Sequence, residues 1–199
     1  MKLAIMTTST FFVEEDNILT SFFNEGLTNL HLFKPGQSPL YSERLLSLLP
    51  EEHHKRITVH QHYYLKKEFN LAGIHIDCPE ETAPSTYKGK LGRTCSSLPQ
   101  LRDMRHQVDY VFLDHVLKSR HCTPGYTLQQ LHEAADHNLI DRHVWALGGV
   151  TMNNIPLLRE LGFGGVVVCS DIWDRFDIQS QNEYRSLIEY FVRLRKVVE

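Results

Sequence analysis

The chain has 199 residues, 42% of them hydrophobic, and a formal net charge of −3 with histidine neutral. That length and apolar content suit one compact domain over residues 1–199, and the charge leaves no broad basic field for a nucleic-acid backbone or an anionic membrane. Any anion bound here must be held by local geometry.

In chain order, the opening segment MKLAIMTTSTFFVEEDN carries one lysine and an apolar stretch soon broken by threonines and acids, unlike a secretory leader. Short β-rich runs then recur at 2–8 (KLAIMTT), 27–33 (LTNLHLF), 56–61 (RITVHQ), 73–77 (GIHID), 90–95 (KLGRTC), 108–114 (VDYVFLD), 143–149 (HVWALGG) and 164–170 (GGVVVCS). Most are near-continuous hydrophobic, as expected of parallel strands buried on both faces. The pieces between them are read as helices, the piece after the fourth run included. Helical spacing is visible in Ile18, Phe22 and Phe23, in Leu45 to Leu49, in Leu98, Leu101 and Met104, and in Leu128, Leu131 and Ala134. Asn153 or Asn154 is placed to cap a helix with Pro156 in its first turn and Gly162 beyond its end. Residues 180–197 put Tyr184, Leu187, Ile188, Phe191 and Val192 on one stripe of a closing helix. No apolar run approaches the roughly 20 residues of a membrane helix. Cys78, Cys95, Cys122 and Cys169 lie far apart with no CxxC pair, which argues against a disulfide framework or a zinc ribbon and fits a cytoplasmic location.

Eight strand-then-helix units without a break in composition predict an α/β fold of the (β/α)₈ TIM-barrel class, with shorter loops than the typical barrel of about 250 residues. An open doubly wound sheet would show a glycine-rich turn after its first strand, where this chain has TTSTFF. In such barrels the site gathers at the C-terminal strand ends, and phosphate often sits after strands seven and eight. Those ends read Gly148-Gly149-Val150 and Cys169-Ser170-Asp171. Bare backbone at the glycines, amides at the following helix starts and the Ser170 hydroxyl can grip an anion without net positive charge.

WALGGVTMNN followed by GFGGVVVCSDIW, together with LHLFKP, GIHI, GRTCSS and DYVFLDHV, resembles the thiamine phosphate synthase and TenI family of small (β/α)₈ barrels. The resemblance implies an enzyme of thiamine biosynthesis whose small-molecule partner is a thiazole phosphate, held at Gly148, Gly149, Cys169 and Ser170. A homo-oligomer is compatible with it, and nucleic acid and membrane are not expected partners. The synthase branch joins thiazole phosphate to a pyrimidine methyl diphosphate and needs Mg²⁺ and cations for the departing pyrophosphate. Here its arginine slot holds Phe33 beside Lys34, its asparagine–aspartate pair reads His60-Gln61, and Cys122 falls in its lysine slot, with Lys118 and Arg120 nearby. Lys34, Thr94 and Arg120 remain as candidate pyrophosphate contacts, and Asp77 or Glu80 as the Mg²⁺ ligand if that metal is used. The TenI branch instead carries a histidine after strand six, matched here by His115 in YVFLDHVLKS. That implies thiazole tautomerisation without a cofactor, His115 giving and taking protons near neutrality. Strand alternation places Val111, Leu113 and His115 on one face, towards the mouth, with Asp114 facing elsewhere. A phosphate-binding relative without catalysis is the third reading.

His31, His60, His62 and His75 lie on neighbouring strands, where imidazoles can share a transition metal, although 12 histidines make chance adjacency the better account. His53-His54 read as a solvated turn at the far end of the barrel. Cys95 and Cys122 lack an activating base pattern, and Trp145 and Trp173 read as packing between strands and helices.

Overall fold

The computed structural model describes residues 1–119, 125–176 and 184–199. Eight parallel strands close into a barrel in sequence order: β1 (Lys2–Met6), β2 (Leu30–Leu32), β3 (Ile57–Val59), β4 (Gly73–Ile76), β5 (Lys90–Cys95), β6 (Tyr110–Leu113), β7 (Val144–Ala146) and β8 (Gly165–Val168). The seam is closed by β1 against β8, with Leu3 opposite Val166 and Ile5 opposite Val168. Every strand but β5 is shorter than the run that contains it, because the polar ends of those runs open into the loops, and β5 fills its run of 90–95.

The strand side chains divide into two layers. Leu3, Ile5, Leu30, Leu32, Ile57, Val59, Val111, Leu113, Val166 and Val168 point outward into one continuous core with the helices. They meet α1 (Glu15–Asn24), α2 (Pro39–Leu48) and the closing helix α9 (Arg185–Val198) through Ile18, Phe22, Leu45, Leu46, Leu187 and Phe191. Ala4, Met6, Tyr110, Phe112, Trp145 and Val167 form a second cluster inside the barrel. Trp145 therefore packs between strands, not against helices. Trp173, in the short α8 (Ser170–Trp173), does pack outside, and its indole N–H donates to the Met6 carbonyl at 2.7 Å. The stripe of α9 also runs further than the sequence pattern suggests, through Tyr190, Leu194 and Val198.

The other helices in chain order are α3 (Glu51–His54), α4 (Leu65–Glu68), α5 (Leu98–Met104), α6 (Leu128–Asp136) and α7 (Ile155–Glu160). Between β4 and β5 there is no helix, contrary to the sequence expectation. CPEETAPSTYKG has two prolines and no apolar period, so nothing would bury one face. Arg93 holds that loop instead, donating from Nη2 to the carbonyls of Cys78, Pro79 and Glu81 at 3.2, 2.9 and 2.9 Å. Asn154 does occupy the N-cap position of α7, yet its side chain turns back to the preceding loop. Its Oδ1 accepts from the Thr151 amide at 2.9 Å and its Nδ2 donates to the Gly149 carbonyl at 2.8 Å.

His53 and His54 are not a solvated turn: they are 3% and 6% exposed. The single turn of α3 lays His53 flat on Phe23, with ring centroids 4.6 Å apart, and sets His54 Nδ1 against the Phe69 carbonyl at 3.1 Å. His54 Nε2 lies 3.0 Å from the Leu46 carbonyl at the end of α2. The bond meets the demand of an open helix end for a donor.

Candidate active site

At the C-terminal ends of β7 and β8 the chain leaves a cleft of about 610 Å³, lined by Gly149, Thr151, Ser170 and Asp171 with Lys118, Arg175, Ser119 and Asp174. Gly148 and Gly149 sit at φ +86° and +69°, in the left-handed region where a side chain is strained. A Cβ on Gly149 would also stand 2.4 Å from the Leu117 carbonyl oxygen, and one on Gly148 would stand 2.9 Å from the His115 nitrogen. The loop after β6 thus lies directly on the two glycines. Their bareness serves this close packing as well as any ligand. Ser170 and Asp171 open α8, where no carbonyl of the preceding turn reaches their amides. Asp171 is pinned: its Oδ2 accepts from the Met152 amide at 3.0 Å and its Oδ1 pairs with Arg175 at 3.1 Å. Cys169 does not enter the cleft with its thiol, which lies 3.7 Å from the Thr7 carbonyl and is pushed up to about 11 by burial.

His115 follows β6 at φ +58°. The two outward residues Val111 and Leu113 belong to the helix-facing layer, so continued alternation would have sent His115 away from the mouth. β6 ends at Leu113, so the alternation does not extend to His115 and its direction is set by the turn. The same turn corrects the reading of Asp114. Its Oδ1 accepts from the His115 amide at 2.7 Å and its Oδ2 lies 3.0 Å from His115 Nδ1. Asp114 is the residue that orients the imidazole, whose side chain is 42% exposed. His115 does not line the cleft at Gly149 and Ser170, but its backbone abuts Gly148, and Lys118 further along the same loop does line it.

On the opposite side of the mouth, three histidine rings fill the barrel. His31, His60 and His75 are 2%, 2% and 0% exposed and pack against Phe112. Gly92 makes the room, since a Cβ there would stand 2.5 Å from His75 Nδ1. Their protons follow from one fixed point, because a carboxylate only accepts. His60 Nδ1 lies 2.9 and 3.0 Å from the two oxygens of Asp77 and so carries a proton. His60 Nε2 is then an acceptor, and His31 Nδ1, 2.9 Å away, is its donor. Thr94 donates to Asp77 at 3.1 Å, so its oxygen accepts from His75 Nε2 at 2.9 Å. Burial favours the neutral form of His31 and His75, depressing both well below the usual imidazole range. The ligand atoms of the three lie within 4.8 Å of one another, but the network is already satisfied and His60 stacks on His75 at 4.4 Å. Two stacked rings do not aim their lone pairs at one cation. His62 leaves the group altogether, turning at φ +54° to the Gln37 carbonyl.

The candidate pyrophosphate contacts are not brought together. Lys34 is 1% exposed, and its ammonium donates to both oxygens of Glu15 at 2.7 and 2.9 Å and to the Thr10 carbonyl at 2.8 Å. Thr94 serves Asp77. Glu80 is exposed and accepts from the Cys78 thiol at 2.8 Å. Arg120 and Cys122 lie outside the described residues. Cys95 is buried, which pushes its thiol up. Sequence reasoning missed Thr151, Asp171 and Arg175. Only the spacing of Asp171 and Arg175, one helical turn apart, gives a sign of them.

A barrel with an open cleft at the β7 and β8 ends is shared by many phosphate-handling enzymes and defines a fold, not a reaction. The family model for thiamine monophosphate synthase matches residues 43–172. A crystal structure of thiamine phosphate pyrophosphorylase from Bacteroides thetaiotaomicron is 44% identical, covers 99% of this chain and 97% of its own, and superposes with a TM-score of 0.90. This chain therefore belongs to the thiamine phosphate synthase and TenI family. Thiamine phosphate pyrophosphorylase from Pyrococcus furiosus (16% identity, TM-score 0.76, 99% and 95% covered) and 3-hexulose-6-phosphate synthase (13%, 0.66, 100% and 100%) share the fold. No curated protein matches. No helix among the described residues is long and apolar enough to cross a membrane.

Proposed function

We propose that this protein is a thiazole tautomerase that holds the phosphate ester of its substrate at Gly149 and Ser170 and moves protons with His115. The observation that carries the reading is the Asp114–His115 pair, 3.0 Å apart. A carboxylate on Nδ1 fixes the tautomer and leaves Nε2 as the working nitrogen. That nitrogen takes the proton from the ring carbon bearing the carboxylate and returns one to the exocyclic carbon, so the substrate is isomerised with no net change. Such a reaction needs an anion grip and one base, and no metal. Gly148 supports the turn that carries both. Cys169 contributes its backbone, since its thiol is turned inward.

The synthase reading draws support from the relative at 44% identity, a thiamine phosphate pyrophosphorylase. It needs Mg²⁺ and free cations, and the residues fit that poorly. Asp77 already accepts from His60 and Thr94, its neighbours are imidazoles where Mg²⁺ prefers oxygen, and Lys34 is committed to Glu15. Supplying the non-aromatic thiazole carboxylate tautomer tests the proposal. Wild type should aromatise it, and His115→Asn should lose roughly 10²- to 10⁴-fold in rate while phosphate affinity stays. Robust formation of thiamine phosphate from pyrimidine diphosphate, thiazole phosphate and Mg²⁺ would instead make it a synthase, and failure of both reactions would leave a binding protein.

A further inference from the structure

The end of the barrel opposite the mouth gathers three basic side chains in this acidic chain. There a cavity of about 630 Å³ is bordered by Lys2 at the start of β1, Lys90 at the start of β5, and Arg142 ahead of β7, over a floor of Tyr110 and Trp145. Lys2 Nζ stands 5.8 Å from the Trp145 ring and Lys90 Nζ 5.1 Å from the Tyr110 ring. Among the described residues none of the three cations has a carboxylate within ion-pair distance. The one acid at the rim, Asp109, spends its Oδ2 on the Leu91 amide at 2.8 Å. His143 also borders the cavity, its Nδ1 3.4 Å from Asp141 Oδ1.

We infer that this N-terminal opening is a second anion site, for a compact multivalent phosphate such as inorganic pyrophosphate. Three features point to a ligand where bare lysine stems would serve only as a plug. The cavity is a concavity and not a flat patch. The cations converge on it from three different strand starts. Lys2 and Lys90 also repel one another: burial first, and then Lys2, holds Lys90 below its usual range, with Asp109 only partly opposing. An anion between them would relieve that repulsion, and the aromatic faces beneath each ammonium keep both heads at the opening. A monovalent anion would leave two of the three charges unmatched, which favours a ligand with several.

The two tryptophans report on the two ends separately, because Trp145 floors this cavity while Trp173 bonds to Met6 beside the mouth. Pyrophosphate titrated into the whole protein at low salt should move the Trp145 indole resonance with saturation. The apparent affinity of that shift should fall roughly tenfold or more in Lys2→Gln/Lys90→Gln and stay unchanged in Ser170→Ala. It should also weaken with added salt. A Trp145 resonance that stays still while Trp173 moves would overturn the inference, as would a Trp145 shift that survives the double variant. Should the double variant fold badly, the wild-type titration still decides between a moving and a silent Trp145.

Discussion

Just beyond the ends of β7 and β8 the chain carries glycine and serine, while on β2, β3 and β4 the side chains that fill the barrel are histidines, His31 and His75 within their strands and His60 just past its own. The first side leaves a cleft with backbone amides and a hydroxyl at its wall, and the second closes over itself in a chain of hydrogen bonds from His31 and His75 to Asp77. Both are rich in polar atoms near the same opening. What separates them is satisfaction: a buried donor that already has its acceptor does nothing for a ligand, while an amide at the start of a helix still seeks one. Counting histidines therefore points to the wrong half of the mouth.

The largest test of this contrast is Lys34, which belongs to the satisfied side although its charge suggests a ligand contact. Removing one partner of a buried ion pair strands the other, at a cost of about 3–5 kcal/mol. Lys34→Met should lower stability by that much in chemical denaturation, and Lys34→Met with Glu15→Leu should recover most of it. A small loss in the single variant would mean the ammonium is free for substrate after all. The pair also predicts a pH dependence. Burial raises the Glu15 carboxyl to about 7, against Lys34, which pulls it down. Between the ordinary carboxyl range and about 7 the folded state then holds a proton that the unfolded chain has released. The Glu15 contribution to stability is thus present at low pH and declines as pH rises through that window. Glu15→Gln should flatten the slope, measured as midpoint against pH.

His60 comes next. His60→Leu leaves the Nδ1–H of His31 without an acceptor in an apolar interior and takes a donor from Asp77, for a loss of about 2–3 kcal/mol. The double variant with His31→Leu should cost less than the sum, since both partners are then apolar. If one equivalent of Zn²⁺ instead raises the unfolding midpoint of the wild type, and His60→Leu abolishes the effect, the histidine side is a metal site and the contrast drawn here is wrong.

The barrel itself was legible because seven of its eight strands are short, strongly apolar runs separated by polar or helical pieces, and both faces of each are buried. β5 is the exception, with the half-buried sequence KLGRTC, and it was found only as one more unit in the series. The glycine and serine ends were legible for the same reason: their place follows from where the runs stop. Contacts across the chain were not. Nothing local in the sequence announces that Glu15 meets Lys34 or that His54 meets the end of α2, because those distances are set by how helices settle on the barrel. The Asp114–His115 contact escaped by another route. Period-two alternation holds only while the strand lasts, and a left-handed turn at a histidine leaves no mark in composition.

The smallest expected effect falls on the open side and is the sharpest check of it. Ser170 borders the cleft, and its hydroxyl makes no hydrogen bond among the described residues. Ser170→Ala removes one donor from the wall without orphaning a buried partner, so stability should stay within about 0.5 kcal/mol of wild type. A ligand phosphate would lose one hydrogen bond to a charged acceptor, worth about 1.5–3 kcal/mol, or roughly ten- to hundredfold in affinity. Isothermal titration with thiazole phosphate reads the second quantity and thermal unfolding the first. A loss of affinity without a loss of stability is the signature of a wall that waits for its partner. If stability falls and affinity holds, Ser170 belongs to the fold, and the anion grip must be sought along the loop from Lys118.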